Sequence, residues 1–592
     1  MNGDIAATVP ARLAARAAER PHSVALEVVD TGQLTMEEWE RRSSSAARGL
    51  LANGVRPGDR IVLWCDNHDL LEYAVSYVAV HKAGAVAVPV QRRMGEKHLH
   101  RVVGYTDAVG VISESPVSGE SVWTRQLGDL ELSDSQAPMT PRLQAHDDAE
   151  ILFTSGTTGT PKGVVASHEN LLYPHSAQAV EQEPHSVLHA LPPASLAGQG
   201  LLLQPLDGVP HRVIALPDYE DGRFVEAINV HRPTHLVLVP AFALSLIHSR
   251  AAGSLDASSV KVVRTISAPI APAALQRLAE LFPHSALFNM YTSTEAFPAR
   301  VRIKFDPARP ASVGRAAGQA GEIRIVDNDG SPVSSGIPGN VELRSPHAPQ
   351  RRYLNDDAAS ATVFRAGGWV RTGDIGKLDE RGYLFLLDRN QDLIISGGLN
   401  ISTIEVEAVM HGFEGVREAA AYGMPHPTLG EYVAAAVVPG DGFDRDRFNE
   451  YLSDHLGAAK APKRVVVVDA LPRNELGKVL KRRLHEVSVR QSEVKRPEDG
   501  VRRGDFHDRV RDIWAAELGE SDLDWSADFL ELGGTSLTAM AVVARVRNEL
   551  GRHVGQRDLF EATSLGEFAD RAEAAPAARP DRKRIQRVRR AG

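Results

Sequence analysis

Cysteine is almost absent from this sequence. Cys65 is the only one in 592 residues, so no internal disulfide can form and no cysteine-based metal cluster can be built. Any thioester chemistry would have to borrow its sulfur from outside the polypeptide. Long apolar runs are also missing: no stretch approaches 18 uninterrupted apolar residues, and MNGDIAATVPARLAARAAER at the start lacks the apolar core of a signal peptide. A cytoplasmic protein with no membrane association is the expectation. Nor is there an excess of positive charge. Lys plus Arg total 67 against 76 Asp plus Glu, a net charge of −9, which gives no electrostatic reason to expect a nucleic-acid partner.

What is present is an ordinary globular balance, 43% hydrophobic and 24% charged, over a length that suits two to four domains. From about residue 60 to 300, apolar β-branched runs alternate with helical patterns. HLVLVPA (235–241), KVVRTIS (261–267), PAALQRLAELFP (272–283) and ALFNMYT (286–292) read as strand, strand, helix and strand, which predicts parallel α/β layers. Near 300 the texture changes. EIRIV (322–326), NVELRS (340–345) and GYLFLLD (382–388) are short strands between turn residues, as in a small antiparallel barrel or meander. AAAYGM (419–424), EYVAAAVV (431–438) and a helix around RDRFNEYLSDHL (445–456) predict a smaller α+β unit. A charged linker follows, then FHDRVRDIWAAEL (506–518), which puts Phe506, Val510, Ile513, Trp514 and Leu518 on one helical face. The expected division is 1–388 for a large α/β core, 389–485 for the small subdomain and 486–504 for the linker. An all-α four-helix unit over 505–575 and a disordered basic tail over 576–592 complete it.

The segment FTSGTTGTPKG (153–163) carries the chemistry. Glycines let backbone N–H groups turn towards an anion, hydroxyls donate further, and Lys162 adds positive charge. Alone, such a loop is as well read as a flexible surface turn, and it is not a Walker A loop, because no Gly-Lys-Ser/Thr follows at the required spacing. As a whole string it resembles the phosphate loop of the adenylate-forming superfamily: acyl-CoA synthetases, nonribosomal peptide adenylation domains and luciferases. The resemblance spans roughly residues 10–485 and recurs in order at four further motifs.

The resemblance implies a role for each matching residue. Thr154, Ser155, Gly156, Thr157, Thr158, Gly159 and Lys162 would cradle ATP phosphates. In NMYTSTE (289–295), Asn289 and Tyr291 would hold the adenine, Thr294 would contact the α-phosphate and Glu295 would bind Mg²⁺, a hard ion suited to a carboxylate. Asp374 in WVRTGD (369–374) and Arg389 in LLDRNQD would hold the ribose. Gly397 and Gly398 in SGGLN (396–400) would flank the pantetheine arm, where missing side chains permit close approach. Lys478 in PRNELGK (472–478) matches the lysine that stabilises charge as carboxylate attacks phosphorus. Gln391 falls at the hinge, where the family commonly has Asp or Lys; backbone rotation rather than charge is what a hinge needs.

DFLELGGTSL (528–537) resembles the attachment site of acyl and peptidyl carrier proteins, with Ser536 as the 4′-phosphopantetheine site. The plain alternative is a helix N-cap serine. The acid pocket is quieter. The stretch LPPASLAG (191–198) has no acid to meet an α-ammonium, and Ala194 and Ser195 stand where aryl and acyl ligases often carry an aromatic and a His. Ser267, Ala268, Met290, Thr292, Phe297 and Pro298 are the other expected wall residues, with Thr292 in place of the usual Gly. His168, Tyr173 and His175 could face the substrate or be ordinary helix residues.

The expectation is therefore an ATP- and Mg²⁺-dependent acid–thiol ligase that loads an aryl, short acyl or non-standard amino acid onto its own carrier. A phosphopantetheinyl transferase and a downstream acyl-accepting enzyme would be its partners in trans. A ligase releasing free CoA thioester and a non-catalytic carrier or scaffold are the alternatives.

Overall fold

The computed structural model describes residues 7–577 except 120–121, 133–136, 140, 155–161, 177–182, 317–320, 427–428, 475–476, 487–503, 519–522, 526, 531, 533, 535 and 563. Most of the expected linker and nearly all of the expected tail thus lie outside the described residues. The chain forms two compact units. The first comprises residues 1–391 together with 473–478, and the second comprises 392–472 and 479–592.

Two large sheets dominate the first unit. In the nine-stranded sheet, Ala286–Tyr291, Val262–Thr265, His235–Leu238, His185–His189, His211–Ala215 and Val24–Val28 run parallel, and antiparallel strands close both edges. The seven-stranded sheet joins a parallel set around Arg60–Cys65 and Val86–Gln91 to an antiparallel edge made by Asp148–Thr154, Lys162–Ser167 and Arg352–Tyr353. The near-continuous apolar runs of the parallel strands follow from burial on both faces. Helix Leu70–Lys82 is buried on twelve of its thirteen residues, and one core cluster joins it to Leu26, Ile61, Val187 and Val213 of the two sheets. Even its Lys82 lies inside, with its ammonium 2.6 Å from Glu40 and 2.7 Å from the Ser44 hydroxyl.

The change of texture near 300 is a real boundary. Glu322–Val326, Gly339–Arg344, Trp369–Leu378 and Leu384–Arg389 form a four-stranded antiparallel meander. In the second unit, Val416–His426, Gly430–Pro439 and Arg464–Val467 carry a small mixed sheet covered by helices Thr403–Met410 and Arg445–Lys460. Helices Asp505–Leu518, Ser536–Leu550, Gln556–Glu561 and Leu565–Ala574 make the expected four-helix unit. Of the helical face read from sequence, Val510, Ile513 and Trp514 are fully buried, with Trp514 packed on Phe529 and Phe568. Among the described residues, no helix is long and apolar enough to cross a membrane.

Candidate active site

The carboxyl ends of the parallel strands in the nine-stranded sheet gather the candidate residues of the first unit, the usual ligand position in open α/β sheets. Strand Ala286–Tyr291 ends in Tyr291, whose hydroxyl donates to Asp374 Oδ2. Asp374 is buried at 8% exposure on the neighbouring meander, where it is the register partner of Arg389. Arg389 Nε lies 3.4 Å from the other carboxylate oxygen. Burial and the Asp374 charge both push the Tyr291 phenol well above its usual range, so it stays a donor. A carboxylate has about four acceptor positions, so Asp374 can keep both partners and still receive ribose hydroxyls. Asn289 is buried beneath, its Oδ1 accepting from Thr265 Oγ1 at 3.3 Å.

A second chain of contacts runs along the antiparallel edge. Thr154 and Lys162 are register partners, so they bring together the two ends of the glycine-rich segment. Ser155, Gly156, Thr157, Thr158 and Gly159 lie outside the described residues. The Lys162 ammonium sits over the ring of Tyr353, 4.8 Å from its centroid, and the Tyr353 hydroxyl donates to Glu295 Oε1 at 2.9 Å. Thr294 precedes Glu295 in a turn closed by the Phe297 N–H on Ser293 O at 3.0 Å. Tyr353 was not foreseen from sequence; it meets Glu295 only because Arg352–Tyr353 pairs with Lys162–Ser167. Among the described residues no three His, Cys, Asp or Glu groups assemble a metal cage. Glu295 stands as a single carboxylate, which fits Mg²⁺, an ion that takes one or two protein carboxylates and completes its shell with phosphates and water.

A cavity of about 190 Å³ opens at the same strand ends, and of the expected wall residues it takes in Ser195 and Ser267. Ala268, Met290, Thr292, Phe297 and Pro298 do not line it. Ser195 is not a free recognition group either. It is 5% exposed and caps helix Leu196–Leu203, accepting from Gly198 N at 3.0 Å and donating to Pro192 O at 2.7 Å. The Thr292 hydroxyl is likewise engaged, donating to Ala299 O at 2.6 Å. The cavity is also lined by Tyr219 and Phe242, rings stacked 4.0 Å apart and within 2° of parallel, with the Tyr219 hydroxyl donating to Phe242 O at 2.9 Å, and by the charged Arg93 and Asp218. Each aromatic follows the end of a parallel strand by four residues, and that placement is the signal by which sequence reading could have found them. His168 is a core residue, 1% exposed, held near 4 by burial and stacked edge-on against His81. Tyr173 is half-buried on the same helix; only the backbone of His175 is among the described features.

Residues 473–478 cluster with the first unit although their neighbours in sequence do not. Gly477 has φ +74, and a Cβ there would sit 3.4 Å from Ala241 Cβ and 3.6 Å from Val239, a residue of the cavity wall. Lys478 follows immediately, its N–H donating to Asn474 Oδ1 at 2.8 Å. Gln391 is exposed and is the last residue of the first unit before the chain enters the second.

In the second unit, Gly397 and Gly398 form an exposed two-residue hairpin turn, φ +55 and +85, a geometry that by itself calls for glycine. Ser536 is the first residue of its helix. Gly534 before it has no room for a side chain, since a Cβ would fall 2.3 Å from the Phe529 ring. The Gly534 carbonyl is 2.9 Å from His426 Nε2 of the small sheet. Asp528, at the head of the same motif, lies 3.6 Å from Arg464, both about nine-tenths buried, and Lys463 sits over Phe560. The four-helix unit thus shares an apolar core with Tyr422, Tyr432 and Ala434 of the subdomain.

Comparisons with known proteins identify the family. Residues 13–353 match the family described as AMP-binding enzyme, 405–478 the AMP-binding enzyme C-terminal domain, and 508–572 the phosphopantetheine attachment site. The chain therefore belongs to the adenylate-forming AMP-binding enzyme family of acid–thiol ligases, here fused to a phosphopantetheine attachment domain. It is 32% identical over 485 residues to a feruloyl-CoA synthase from Amycolatopsis sp, covering 79% of this chain and 96% of that protein. It is 33% identical over 399 residues to an indoleacetate–CoA ligase from Aromatoleum aromaticum, covering 65% and 76%. Among solved structures, ATP-bound MatB from Rhodopseudomonas palustris superposes with a TM-score of 0.72 at 28% identity, covering 81% of this chain and 98% of that one. The AMP complex of O-succinylbenzoate CoA synthetase from Bacillus subtilis gives 0.70 at 25%, covering 80% and 97%. ATP is the nucleotide of this family, and Mg²⁺ is typical of it.

Proposed function

We propose that the chain activates a carboxylic acid with ATP as an acyl-adenylate and transfers the acyl group to a phosphopantetheine thiol on its own Ser536. The observation that carries this reading is the seating of the attachment motif on the ligase's small subdomain, through Asp528 with Arg464 and Gly534 with His426. A carrier fused and docked in this way gains effective concentration over one that must diffuse in. The bound arm would supply the nucleophilic sulfur that Cys65, buried and with its thiol pushed up by burial, does not.

The chain's own groups divide the work. Asn289, Tyr291, Asp374 and Arg389 hold the nucleoside, and Thr154, Thr294 and Lys162 hold phosphate oxygens together with the glycine-rich segment 155–159. Lys478 stabilises the charge that develops as a carboxylate oxygen bonds to the α-phosphorus and pyrophosphate leaves. Glu295 is the carboxylate for Mg²⁺. Gln391 is the hinge, and Gly397 and Gly398 flank the arm. The flat aromatic faces of Tyr219 and Phe242 favour an aryl or short acyl acid; the carboxylate on the same cavity, Asp218, lies 2.8 Å from His68, and Arg93 brings a positive charge. Phosphopantetheinyl transfer to Ser536 and collection of the acyl group fall to separate partner enzymes.

The named curated relatives are CoA ligases, which favours a second reading in which free CoA is the acceptor. Intact-protein mass spectrometry separates the two. The phosphopantetheinylated protein is incubated with Mg-ATP and a mixture of aryl, short acyl, β-amino and α-amino acids, with and without free CoA. An adduct that disappears in both Ser536→Ala and Lys478→Ala establishes self-loading and identifies the acid by mass. CoA thioester formation undiminished in Ser536→Ala, with no protein adduct, sinks self-loading. No pyrophosphate exchange with any acid would point instead to a carrier or scaffold.

A further inference from the structure

One buried cation in the first unit lacks a hydrogen-bond partner among the described residues. Arg351 is 3% exposed, and its Nε and both terminal nitrogens lack a hydrogen-bond partner among the described residues. Buried polar groups in native proteins are satisfied in the great majority of cases, and a guanidinium brings five donors. This molecule follows that rule at Lys82, whose ammonium meets Glu40 and Ser44. Arg351 does not, with all three guanidinium nitrogens left over.

Strand register explains how it arrives there. Arg352 pairs with Val165, so Arg351 falls beside Ala166, and Ala166 is also the partner of Glu150. Arg351 and Glu150 therefore flank Ala166 in one row, about 10 Å apart at two strand spacings. Glu150 turns to Tyr77, whose hydroxyl donates to it at 2.9 Å. The Arg351 guanidinium turns to Phe297 instead, 5.5 Å from the ring centroid. Tyr353, two residues further along the same face, carries the Lys162–Tyr353–Glu295 chain, and Glu295 is two residues before Phe297. Glu150 and Glu295 are the carboxylates whose charge Arg351 feels most. The unpaired fork thus sits against the segment that joins the Glu295 position to Phe297.

We propose that Arg351 binds an oxyanion of the reacting ligands, a pair of carboxylate or phosphate oxygens brought by the acid or by the polyphosphate of ATP. The planar fork of arginine matches both groups bidentately, which a lysine at this position could not do. The proposal rests on the reading of this unit as an acid-activating site, and it adds a recognition residue that no motif marked.

The experiment uses the full chain with Arg351→Gln and Arg351→Lys, each checked for an unchanged melting temperature. Binding of Mg-pyrophosphate and of adenosine is measured by titration calorimetry, and pyrophosphate exchange is measured over a panel of mono- and dicarboxylic acids. A tenfold or greater loss of pyrophosphate affinity with adenosine unchanged assigns the oxyanion to ATP. Unchanged pyrophosphate and adenosine binding, with the KM for the acid raised tenfold or more in both variants, assigns it to the acid. Effects under twofold on every ligand overturn the proposal. So does restoration of wild-type binding to Arg351→Gln by Glu150→Gln, because Arg351 would then only balance Glu150. Should the wild type exchange pyrophosphate with no acid, the acid-activation reading fails, and the pyrophosphate titration alone decides Arg351.

Discussion

The proposed nucleotide end and the proposed acid end of the first unit are built in opposite styles. At the nucleotide end, long polar side chains meet one another: Tyr291 with Asp374, Asp374 with Arg389, Tyr353 with Glu295. At the acid end the Ser195 hydroxyl turns back onto the local backbone, and two stacked rings form a flat face beside Arg93 and Asp218. Side chains that position each other before a ligand arrives need little reorganisation on binding. On the proposed reading, the flat rings would select an acid mainly by shape, apart from the ATP chemistry.

The most severe way to break the nucleotide end is Asp374→Ala. It removes the acceptor for Tyr291 and Arg389 together with the candidate ribose contacts. Two charge-assisted hydrogen bonds at about 2 kcal/mol each predict AMP binding weaker by about 4 kcal/mol, close to a thousandfold. Titration with AMP checks this. A loss under tenfold would mean that Asp374 serves the local structure and leaves the ribose to other groups.

That contrast also explains what was legible beforehand. Asn289, Tyr291 and Glu295 lie within seven residues on one strand end, so their joint role is local in sequence, and Asp374 and Arg389 follow a short hairpin apart. The alternation of strands and helices carried the α/β layers, the meander and the four-helix unit for the same reason: each pattern is local. Tyr353 reaches Glu295 across 58 positions, and Arg351 reaches its place through strand pairing, neither of which any short motif encodes. Ser195 lines the cavity as expected, but its hydroxyl caps the following helix, a local role that its position before that helix already signalled. Tyr219 and Phe242 were missed because no motif surrounds them, although their position after parallel strands was a usable sign.

Glu150 on strand Asp148–Thr154 is fully buried and lifted from 4.5 to about 7 by that burial, against the opposing pull of Arg351 and the Tyr77 hydrogen bond. With the folded value raised, the native state holds the proton more tightly than the unfolded chain. The corresponding stability is present below about pH 4.5 and is lost as the pH climbs through 7, a difference of up to about 3 kcal/mol. Glu150→Gln should therefore gain on the wild type progressively from pH 5 to pH 8. His168 and His189, both held near 4 by burial, act with the opposite sign as the pH falls from 6.5 towards 4. Their contributions are common to both proteins and cancel in the difference. Denaturant melts at pH 5, 6.5 and 8 give the comparison, and a pH-independent gap would mean that Glu150 is ionised throughout, with Arg351 as its standing counter-charge.

The smallest expected effect sharpens the acid end. Tyr219→Phe keeps the ring and its stack on Phe242 but deletes the hydroxyl that donates to Phe242 O. One neutral hydrogen bond is worth about 1 kcal/mol, and the carbonyl left behind lies beside a cavity that water can enter, so the loss should stay near that figure. Phe242→Ala removes the wall itself. Shape selection by an aromatic face is worth about 1–3 kcal/mol, so this variant should shift the preferred acid towards bulkier members of the panel by roughly tenfold or more. If the wall recognises acids by shape, exchange rates across the panel keep their order in Tyr219→Phe and change it in Phe242→Ala, while the KM for ATP moves in neither. A changed order in Tyr219→Phe would mean that the hydroxyl itself touches the acid, and the acid end would then share the polar style of the nucleotide end.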